Sequence, residues 1–315
     1  MFKIEEIHFG NIIVYRLKNI ENGEFADVLP ALGGILNAFT VNTNKGLCSV
    51  IDGFENDKDF FSSNSHSFKS NVLFPFPNRI EEGHYFFEGK EFQLDVNFPQ
   101  ENNSIHGLVY NKPFKVNETS ITPDSCQITM SYDSSGEIGY PFPFCLSITY
   151  RLLQGELQCA TVITNTGTTR MPYGFGWHHY FKTGNMIDVN SLSFSSTAML
   201  EVNSQMIPNG GSIEYKEYAS IKTLGNTQFD NCFRLEEGAE TAVVLKDEPS
   251  RLSIILKFNS VDFPYLQVYT PPARKTIALE PMTCAPNAFN NKLGLQVLEA
   301  GEVKSLDFTI SVSNK

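Results

Sequence analysis

Short segments rich in β-branched and aromatic residues recur along the whole chain and restrict it to a fold built mainly from strands. Each segment is bounded by Gly, Pro, Asn or Asp, which favour turns. Helical periodicity is confined to residues 55–64, enough for about two turns. These patterns predict an all-β protein, a large antiparallel β-sandwich with little helix. The clearest predicted strands are 11–17, 145–152, 157–165, 241–246, 252–258, 265–270 and 306–313.

Turn signals and chain length indicate how these strands are organised. Asn-Gly at residues 22–23 and Asn-Gly-Gly at 209–211 accept positive φ, so both predict hairpins or tight turns. No composition break marks a linker within the 315 residues. Because a large all-β unit can reach this length, we expect one domain over residues 1–315. Its functional side chains should lie on one concave sheet face or on the loops beside it.

The overall charge narrows the choice of partners. The chain has 24 Lys and Arg against 35 Asp and Glu, a formal net charge of −11, whereas nucleic acid binding needs a basic surface.

The six cysteines form no Cys-x-x-Cys pair, which predicts reduced thiols and no disulfide framework. The sequence contains no signal-peptide pattern and no run of about eighteen apolar residues. We therefore expect a cytoplasmic protein that binds neither nucleic acid nor membrane.

Five stretches place titratable or polar side chains in an unusual local setting. Taken alone, each has an ordinary structural explanation, such as a solvated arginine in a turn, a hydrogen-bonded core histidine or a glutamate at a strand end. The sequence has no nucleophile elbow, phosphate-binding glycine loop or dinucleotide fingerprint. The remaining chemistry is proton transfer between a histidine and a carboxylate, which needs no cofactor. The stretches are centred on Asn78-Arg79, His106, His178-His179, Asp230 and Glu280.

The adjacent His178 and His179 lie in 174-GFGWHHYF-181, beside the only tryptophan. Neighbouring side chains on a strand point to opposite faces, so these two imidazoles cannot chelate one ion together. No His-x-His or His-x-x-x-His spacing supports a zinc site. We therefore expect no metal. One histidine of the pair should face a site, while the other packs in the core or meets solvent.

Six segments in register along the chain resemble the aldose 1-epimerase (galactose mutarotase) family. The similarity runs nearly from end to end, and it implies a large β-supersandwich in agreement with the strand pattern. It also implies that the aromatic Trp177, Tyr180 and Phe181 pack against the sugar or support the histidine. The segments are DVLPALGGILNAFTVN (27–42), LFPFPNRI (73–80), IHG (105–107), GWHHYF (176–181), IPNGG (207–211) and ALEPMTCAPNAFN (278–290).

The resemblance implies an activity and a role for each of these side chains. The reaction would interconvert the α and β anomers of a free hexose by acid–base ring opening and closure, without a cofactor. Glu280 would be the catalytic base. His178, which occupies the first position of His-x-Tyr-Phe, would be the catalytic acid. The side chains that would hold the sugar are those of Asn78, Arg79, His106 and Asp230.

Two alternatives stay open, a hexose-6-phosphate mutarotase and a non-catalytic carbohydrate-binding protein of the same fold. A phosphate calls for a bidentate arginine and further donors. Apart from Arg79, the basic candidates Lys112, Lys182 and Arg274 form no cluster in the sequence. We therefore expect neutral aldoses such as galactose or glucose to be preferred to their 6-phosphates. The expected partner is a small-molecule sugar, bound by a monomer or a weak homodimer.

Overall fold

Strands dominate the regular structure of the chain. The computed structural model describes residues 1–238 and 240–313. Strand accounts for 53% and helix for 6%, which confirms the predicted all-β class. In chain order the first elements are β1 (Phe2–Phe9), β2 (Ile12–Asn19), β3 (Phe25–Leu29), β4 (Ile35–Thr43), β5 (Gly46–Ser49), α1 (Asp57–Ser67), β6 (Val72–Leu73), β7 (Arg79–Glu81), β8 (His84–Phe87), β9 (Lys90–Gln93), β10 (Asn103–Ile105), β11 (Lys115–Ile121), β12 (Cys126–Ser134), β13 (Phe144–Leu153) and β14 (Glu156–Asn165).

The second half of the chain is also built mainly from strands, and β16 and β17 in it are separated by the two histidines. Its elements are β15 (Met171–Tyr173), β16 (Gly176–Trp177), β17 (Tyr180–Phe181), a 3-10 turn (Ile187–Val189), β18 (Asn190–Ser193), β19 (Ser196–Val202), β20 (Pro208–Glu214), β21 (Lys222–Thr223), β22 (Asp230–Leu235), β23 (Thr241–Asp247), β24 (Leu252–Phe258), β25 (Tyr265–Tyr269), β26 (Ile277–Met282), α2 (Ala288–Asn291), β27 (Gln296–Leu298) and β28 (Val303–Ser313).

These strands form three large antiparallel sheets and three two-stranded ribbons. The five-stranded sheet has the order β1-β2-β3-β4-β5, and the nine-stranded sheet has the order β11-β12-β13-β14-β28-β24-β23-β18-β21. The eight-stranded sheet has the order β20-β19-β22-β25-β26-β16-β6, with β17 pairing with β26 beside β16. The ribbons are β7–β10, β8–β9 and β15–β27.

The core lies between the inner faces of these sheets. In β13 and β24, buried residues alternate with half-buried ones, as expected when one face of an antiparallel strand packs inward. The eight- and nine-stranded sheets meet where the rings of Trp177 and Phe308 lie 4.4 Å apart between centroids. The five-stranded sheet packs on the nine-stranded one, and the Tyr150 hydroxyl donates to the Gly34 carbonyl at 3.0 Å. One hydrophobic cluster thus connects all three sheets.

Strand β26 is unusual for its length because all six of its residues are buried, whereas the other fully buried strands have only two or three residues. It has β25 on one side and the two short strands β16 and β17 on the other. One face of β26 packs into the core. Its opposite face must therefore be covered by loops or line a cavity, and this is the face that carries Glu280.

Helix α1 confirms the predicted helical segment and extends it to residue 67. It begins after Asn56, whose side-chain oxygen accepts a hydrogen bond from the Asp59 amide at 3.0 Å. This is a standard N-cap interaction, and the acidic first turn is favourable at a helix N-terminus. The helix ends at Phe68, which adopts a left-handed conformation.

The prediction of a turn at residues 209–211 is wrong, because these residues lie inside β20. The turn before β20 is made instead by Asn203, whose side chain accepts hydrogen bonds from the amides of Gln205 and Ile207. Strand β20 is an edge strand with a register shift opposite β19. An exposed edge tolerates Gly210 at its positive φ of 92°, so the Asn-Gly-Gly sequence is compatible with a strand here. The predicted turn at 22–23 is confirmed between β2 and β3.

Two further findings concern thiols and membranes. All six cysteines are free, and four of them are buried. In the described part of the chain, no helix is long and apolar enough to cross a membrane.

Candidate active site

A cavity of about 240 Å³ lies on the face of the eight-stranded sheet that carries Glu280, where strands β22, β25 and β26 meet the loops around β7 and β10. Its wall contains all six residues for which the family resemblance implies a catalytic or sugar-holding role, although they come from distant parts of the chain. They are Asn78, Arg79, His106, His178, Asp230 and Glu280.

Strand register brings the two central groups together. Gly176 pairs with Met282, and Tyr180 pairs with Ala278. Both pairs belong to one antiparallel register, and continuing that register between them places His178 opposite Glu280. Side chains of directly opposite residues project from the same face of a sheet. The Nε2 atom of His178 lies 3.4 Å from Oε1 of Glu280, and the two residues are only 6% and 1% exposed.

The break between β16 and β17 fixes the two histidines in opposite directions. The His178 amide donates to the Asn71 carbonyl, and the His178 carbonyl accepts from the Ser70 amide. His179 turns into the core, where it is fully buried and stacks on Trp177. Its Nδ1 lies 3.3 Å from the Ser70 hydroxyl. His179 is therefore a packed core residue, and His178 is the histidine that faces the cavity.

The same sheet face carries a second row of site residues beside this pair. Asp230 in β22 lies opposite Tyr269 in β25, and Tyr269 lies opposite Ala278 in β26. Gln267, two residues before Tyr269, pairs with Glu280 and donates from Nε2 to Asp230 Oδ1 at 2.9 Å. Since alternate residues of a strand share a face, β25 presents both Gln267 and Tyr269 to the cavity.

Asn78 and His106 enter from the β7–β10 ribbon, where both adopt positive φ. The His106 amide donates to the Asn78 carbonyl at 2.8 Å. Gly107 also has positive φ, and a side chain there would lie 2.2 Å from the Phe74 carbonyl oxygen. The close approach of two backbones therefore requires glycine after His106, which explains the Ile-His-Gly sequence.

Arg79 is buried in the wall of the cavity, so the solvated-arginine explanation is wrong. It is 7% exposed, and its Nη1 donates to the Asn78 side-chain oxygen at 3.0 Å. Glu101 holds the other side of the guanidinium through two hydrogen bonds, from Nε and from Nη2, the latter at 3.1 Å. This bidentate pairing fixes the plane of the guanidinium and balances its charge.

Burial controls the protonation of the central pair. Desolvation, reinforced by the charge of Asp230, raises the pKa of Glu280 well above its ordinary value of 4.5. Desolvation also lowers the pKa of His178 to about 4 and that of His106 well below its ordinary value. Burial therefore favours the uncharged pair, with its proton on Glu280.

Several buried polar atoms of the site have no hydrogen-bond partner within the described chain. They include Nδ1 of His106, Nδ1 of His178 and Oε2 of Glu280. Buried polar atoms in native proteins are nearly always hydrogen-bonded to protein or water. A cavity with such free donors and acceptors suits a ligand rich in hydroxyl groups. Among residues 1–238 and 240–313, no group of three or more His, Cys, Asp or Glu is arranged to hold a metal ion.

The aromatic residues divide into two groups. Tyr180 and Tyr269 line the cavity, and their ring centroids lie 6.4 Å apart with the planes nearly perpendicular. Trp177 and Phe181 are fully buried behind the site. They pack around His179 and therefore support the histidine segment without lining the cavity.

Sequence reasoning missed Glu101, Gln267 and Tyr269. The latter two carry a recognisable signal, a polar and an aromatic residue two positions apart in the predicted strand 265–270. Glu101 carries no such signal, because it stands in a polar loop that resembles any solvated turn. Only the pairing of β7 with β10 brings this loop to Arg79.

Comparison of the structure with solved proteins defines its class. A galactose mutarotase-like protein from Clostridium acetobutylicum superposes with a TM-score of 0.87 at 21% identity, covering 100% of this chain and 99% of the other. Galactose 1-epimerase from Lactobacillus acidophilus gives a TM-score of 0.81 at 15% identity, covering 99% and 98%. The chain therefore has the galactose mutarotase-like fold.

Sequence comparison identifies the family. The family described as aldose 1-epimerase matches residues 16–311, so this chain belongs to the aldose 1-epimerase family. An uncharacterised Escherichia coli protein, YihR, is 29% identical over 247 residues, which are 76% of this chain and 77% of YihR. Galactose mutarotase of Sus scrofa is 27% identical over 183 residues, 56% of this chain and 52% of the pig protein.

The two histidines should respond differently to substitution. If His178 has the acid role that the resemblance implies, His178→Asn should lower the turnover of anomer exchange by about 10²–10⁴, the usual effect of losing a positioned acid. His179→Asn should cost at most about tenfold, ~1.4 kcal/mol in the barrier, but should lower thermal stability because it disrupts aromatic packing. Kinetics normalised to folded protein, together with thermal unfolding, separate the two effects. The opposite ranking of turnover would show that His179 is the acid.

Glu101 should act on sugar affinity through Arg79. We expect Glu101→Gln to raise KM about tenfold with a smaller change in kcat, because a charge-assisted hydrogen bond is worth about 1.5–3 kcal/mol. Asp95→Asn, which removes an exposed carboxylate from the preceding segment, is the matched control. Michaelis parameters for both variants test the effect, and a KM equal to that of the control would remove Glu101 from the site.

Proposed function

We propose that this protein is an aldose 1-epimerase that interconverts the α and β anomers of a free hexose. The observation that carries the proposal is the buried pair of Glu280 and His178, which face each other in a cavity of the size of one sugar ring. A carboxylate and an imidazole in such proximity provide one base and one acid. Membership of the aldose 1-epimerase family supports the same reaction.

The chemistry requires two proton transfers at neighbouring oxygens. In the proposed mechanism, the carboxylate of Glu280 removes the proton from the C1 hydroxyl, and the protonated His178 delivers a proton to the ring oxygen. The bond between C1 and the ring oxygen breaks and an aldehyde forms. Rotation about C1–C2 then presents the other carbonyl face. Ring closure returns one proton to the C1 oxygen from Glu280 and one to His178 from the former ring oxygen, which restores both groups.

One proton shared by the pair is sufficient for a complete cycle. Burial favours the uncharged form of the pair, whereas the reactive form has an ionised Glu280 and a protonated His178. Hydroxyl groups of a bound sugar would hydrogen-bond to both charged groups and stabilise the reactive form. The reaction is redox-neutral and transfers only protons, so these side chains suffice without a cofactor.

The other wall residues would hold the sugar by hydrogen bonds. Asp230 and Gln267 offer acceptors and a donor on the sheet face, and His106 offers ring nitrogens from the opposite loop. Arg79 is already paired with Glu101, so this cavity has no excess positive charge. Its charge balance suits the uncharged hydroxyls of a single ring. A non-catalytic sugar-binding protein would not require a buried acid–base pair, which favours the enzymatic function.

Removal of the base should separate catalysis from binding. We expect Glu280→Gln to lower anomer exchange by about 10²–10⁴, while sugar binding largely survives because the amide keeps the shape of the side chain. Saturation-transfer NMR measures exchange, and calorimetry measures binding. Glu118→Gln, at an exposed position of β11, is the matched control. Full activity of a folded Glu280→Gln protein would refute the proposal.

The pH dependence should report the shared proton. Below the acid limb both groups are protonated and no base remains, and above the alkaline limb both are deprotonated and no acid remains. We therefore expect a bell-shaped profile of kcat/KM. Its acid limb should lie near pH 4, where the pKa of His178 lies, and its alkaline limb at the raised pKa of Glu280, above 4.5. A single rise through pH 6.5 to a plateau would indicate an ordinary histidine base instead.

A further inference from the structure

A second, larger cavity adjoins the candidate active site. Its volume is about 970 Å³, against about 240 Å³ for the sugar cavity. The two cavities share His66, Tyr180 and Tyr269 in their walls. A substituent of a sugar bound at Glu280 can therefore extend past the two tyrosines into the larger space. The proton transfers described above make no use of this space.

The larger cavity is basic, in contrast to the rest of the chain. Its wall contains Lys69, Lys182 and Lys275, and the only carboxylate among the described residues of the wall is that of Asp52. Three positive charges against one negative charge leave an excess of two, in a protein whose formal net charge is −11. A local field of this kind attracts anions even when the whole molecule is acidic.

The arrangement of the lysines is partly fixed. The ammonium groups of Lys69 and Lys182 lie on opposite oxygens of Asp52, at 2.9 and 3.3 Å. Asp52 therefore holds two lysines in place while cancelling only one of their charges. Lys275 forms no ion pair within the described chain and is exposed to solvent at the cavity rim. Glu55 and Asp59 line a different cavity, beside Lys69 and Lys182.

We propose that this larger cavity is a subsite for a negatively charged group, such as a phosphate or a carboxylate, carried by the sugar whose anomeric carbon reacts. The proposal rests on the proposed epimerase function and specifies its substrate class. The sugar cavity cannot serve this purpose, since its single arginine is already balanced by Glu101. The lysines of the larger cavity provide the positive charge that the sugar cavity lacks. A flexible ammonium group binds phosphate as a point charge.

This proposal departs from the preference for neutral aldoses that the sequence predicts. That prediction assumed that basic residues are dispersed, and it considered Lys112, Lys182 and Arg274. In the structure Lys112 pairs with Glu137 and Arg274 with Asp188. Lys69, Lys182 and Lys275 lie far apart in sequence, so only folding reveals their common cavity.

The charged group has two possible positions on the substrate. One is on the reacting ring itself, as in glucose 6-phosphate, and the other is on a second sugar residue, as in a glucuronosyl-glucose disaccharide. Both place an anion among the same lysines. Glucose and lactose are the neutral counterparts of the two probes.

The test is a comparison of kcat/KM for these four sugars, measured as anomer exchange of the reducing ring by saturation-transfer NMR. We expect at least one acidic probe to exceed its neutral counterpart about tenfold or more, equivalent to the removal of ~1.4 kcal/mol from the barrier. A preference for glucose 6-phosphate alone would place the anion on the reacting ring. A preference for the acidic disaccharide alone would place it on the second residue. Raising the salt concentration should reduce the preference, because exposed charges are screened.

Lysine variants identify the cavity as the source of any preference. We expect Lys275→Ala to reduce the ratio of acidic to neutral kcat/KM about three- to tenfold, the double variant Lys182→Ala/Lys275→Ala to reduce it further, and Lys275→Arg to retain it. Lys115→Ala is the control, since Lys115 is an exposed lysine of β11 outside this cavity. Equal or higher kcat/KM for both neutral sugars would overturn the proposal. So would an acidic preference that the double variant leaves intact.

Failure of the epimerase function itself would look different. In that case none of the four sugars would exchange faster than in buffer. Calorimetric titration with glucose 6-phosphate and the acidic disaccharide would then test the subsite independently of catalysis. Binding that Lys275→Ala weakens and Lys115→Ala does not would support the subsite, and a lack of binding by both acidic probes would overturn it.

Discussion

The register between β26 and the interrupted pair β16–β17 is the constraint on which the rest of the site depends. It places Glu280 directly opposite His178, so that a carboxyl and an imidazole share one buried sheet face. Burying either group alone would be costly. As a pair, Glu280 and His178 share one proton, so the buried site carries little net charge from them. Strand β26 has hydrogen-bonded neighbours on both sides, which holds Glu280 rigidly while the short break before β17 positions the imidazole.

The walls of the two adjoining cavities differ in charge. Around the reacting ring, Arg79 is balanced by Glu101, and Asp230 is hydrogen-bonded by Gln267. Next to it, across Tyr180 and Tyr269, the lysines around Asp52 form a basic cavity. Under our proposals, one ligand would meet different chemistry in the two regions, hydrogen bonds to its uncharged hydroxyls in the first and attraction of its anionic group in the second. Both are consistent with an acidic protein, because a local excess of charge can oppose the overall field.

Local patterns in the sequence predicted most of the fold class and part of the site. Richness in β-branched and aromatic residues between turn-forming residues identified strands such as β13 and β24, since that signal depends only on neighbours along the chain. The motif resemblance identified Glu280 and His178, which the structure places together. Their roles as base and acid stay predictions. Contacts between distant segments were not predictable, and this is why Glu101 and the cluster of Lys69 with Lys182 and Lys275 were missed. The turn expected at residues 209–211 failed because an edge strand tolerates glycine.

Isotope retention at the anomeric carbon tests the central claim most directly. In the proposed mechanism, ring opening by Glu280 and His178 breaks the bond between C1 and the ring oxygen, so the oxygen attached to C1 stays in place during each exchange. Glucose labelled with ¹⁸O and deuterium at C1 should therefore interconvert between anomers faster with the protein than without it, with both labels retained beyond the spontaneous loss in buffer. Loss of ¹⁸O in step with anomer exchange would show that the bond to the anomeric hydroxyl breaks instead. That result would contradict the proposed mechanism.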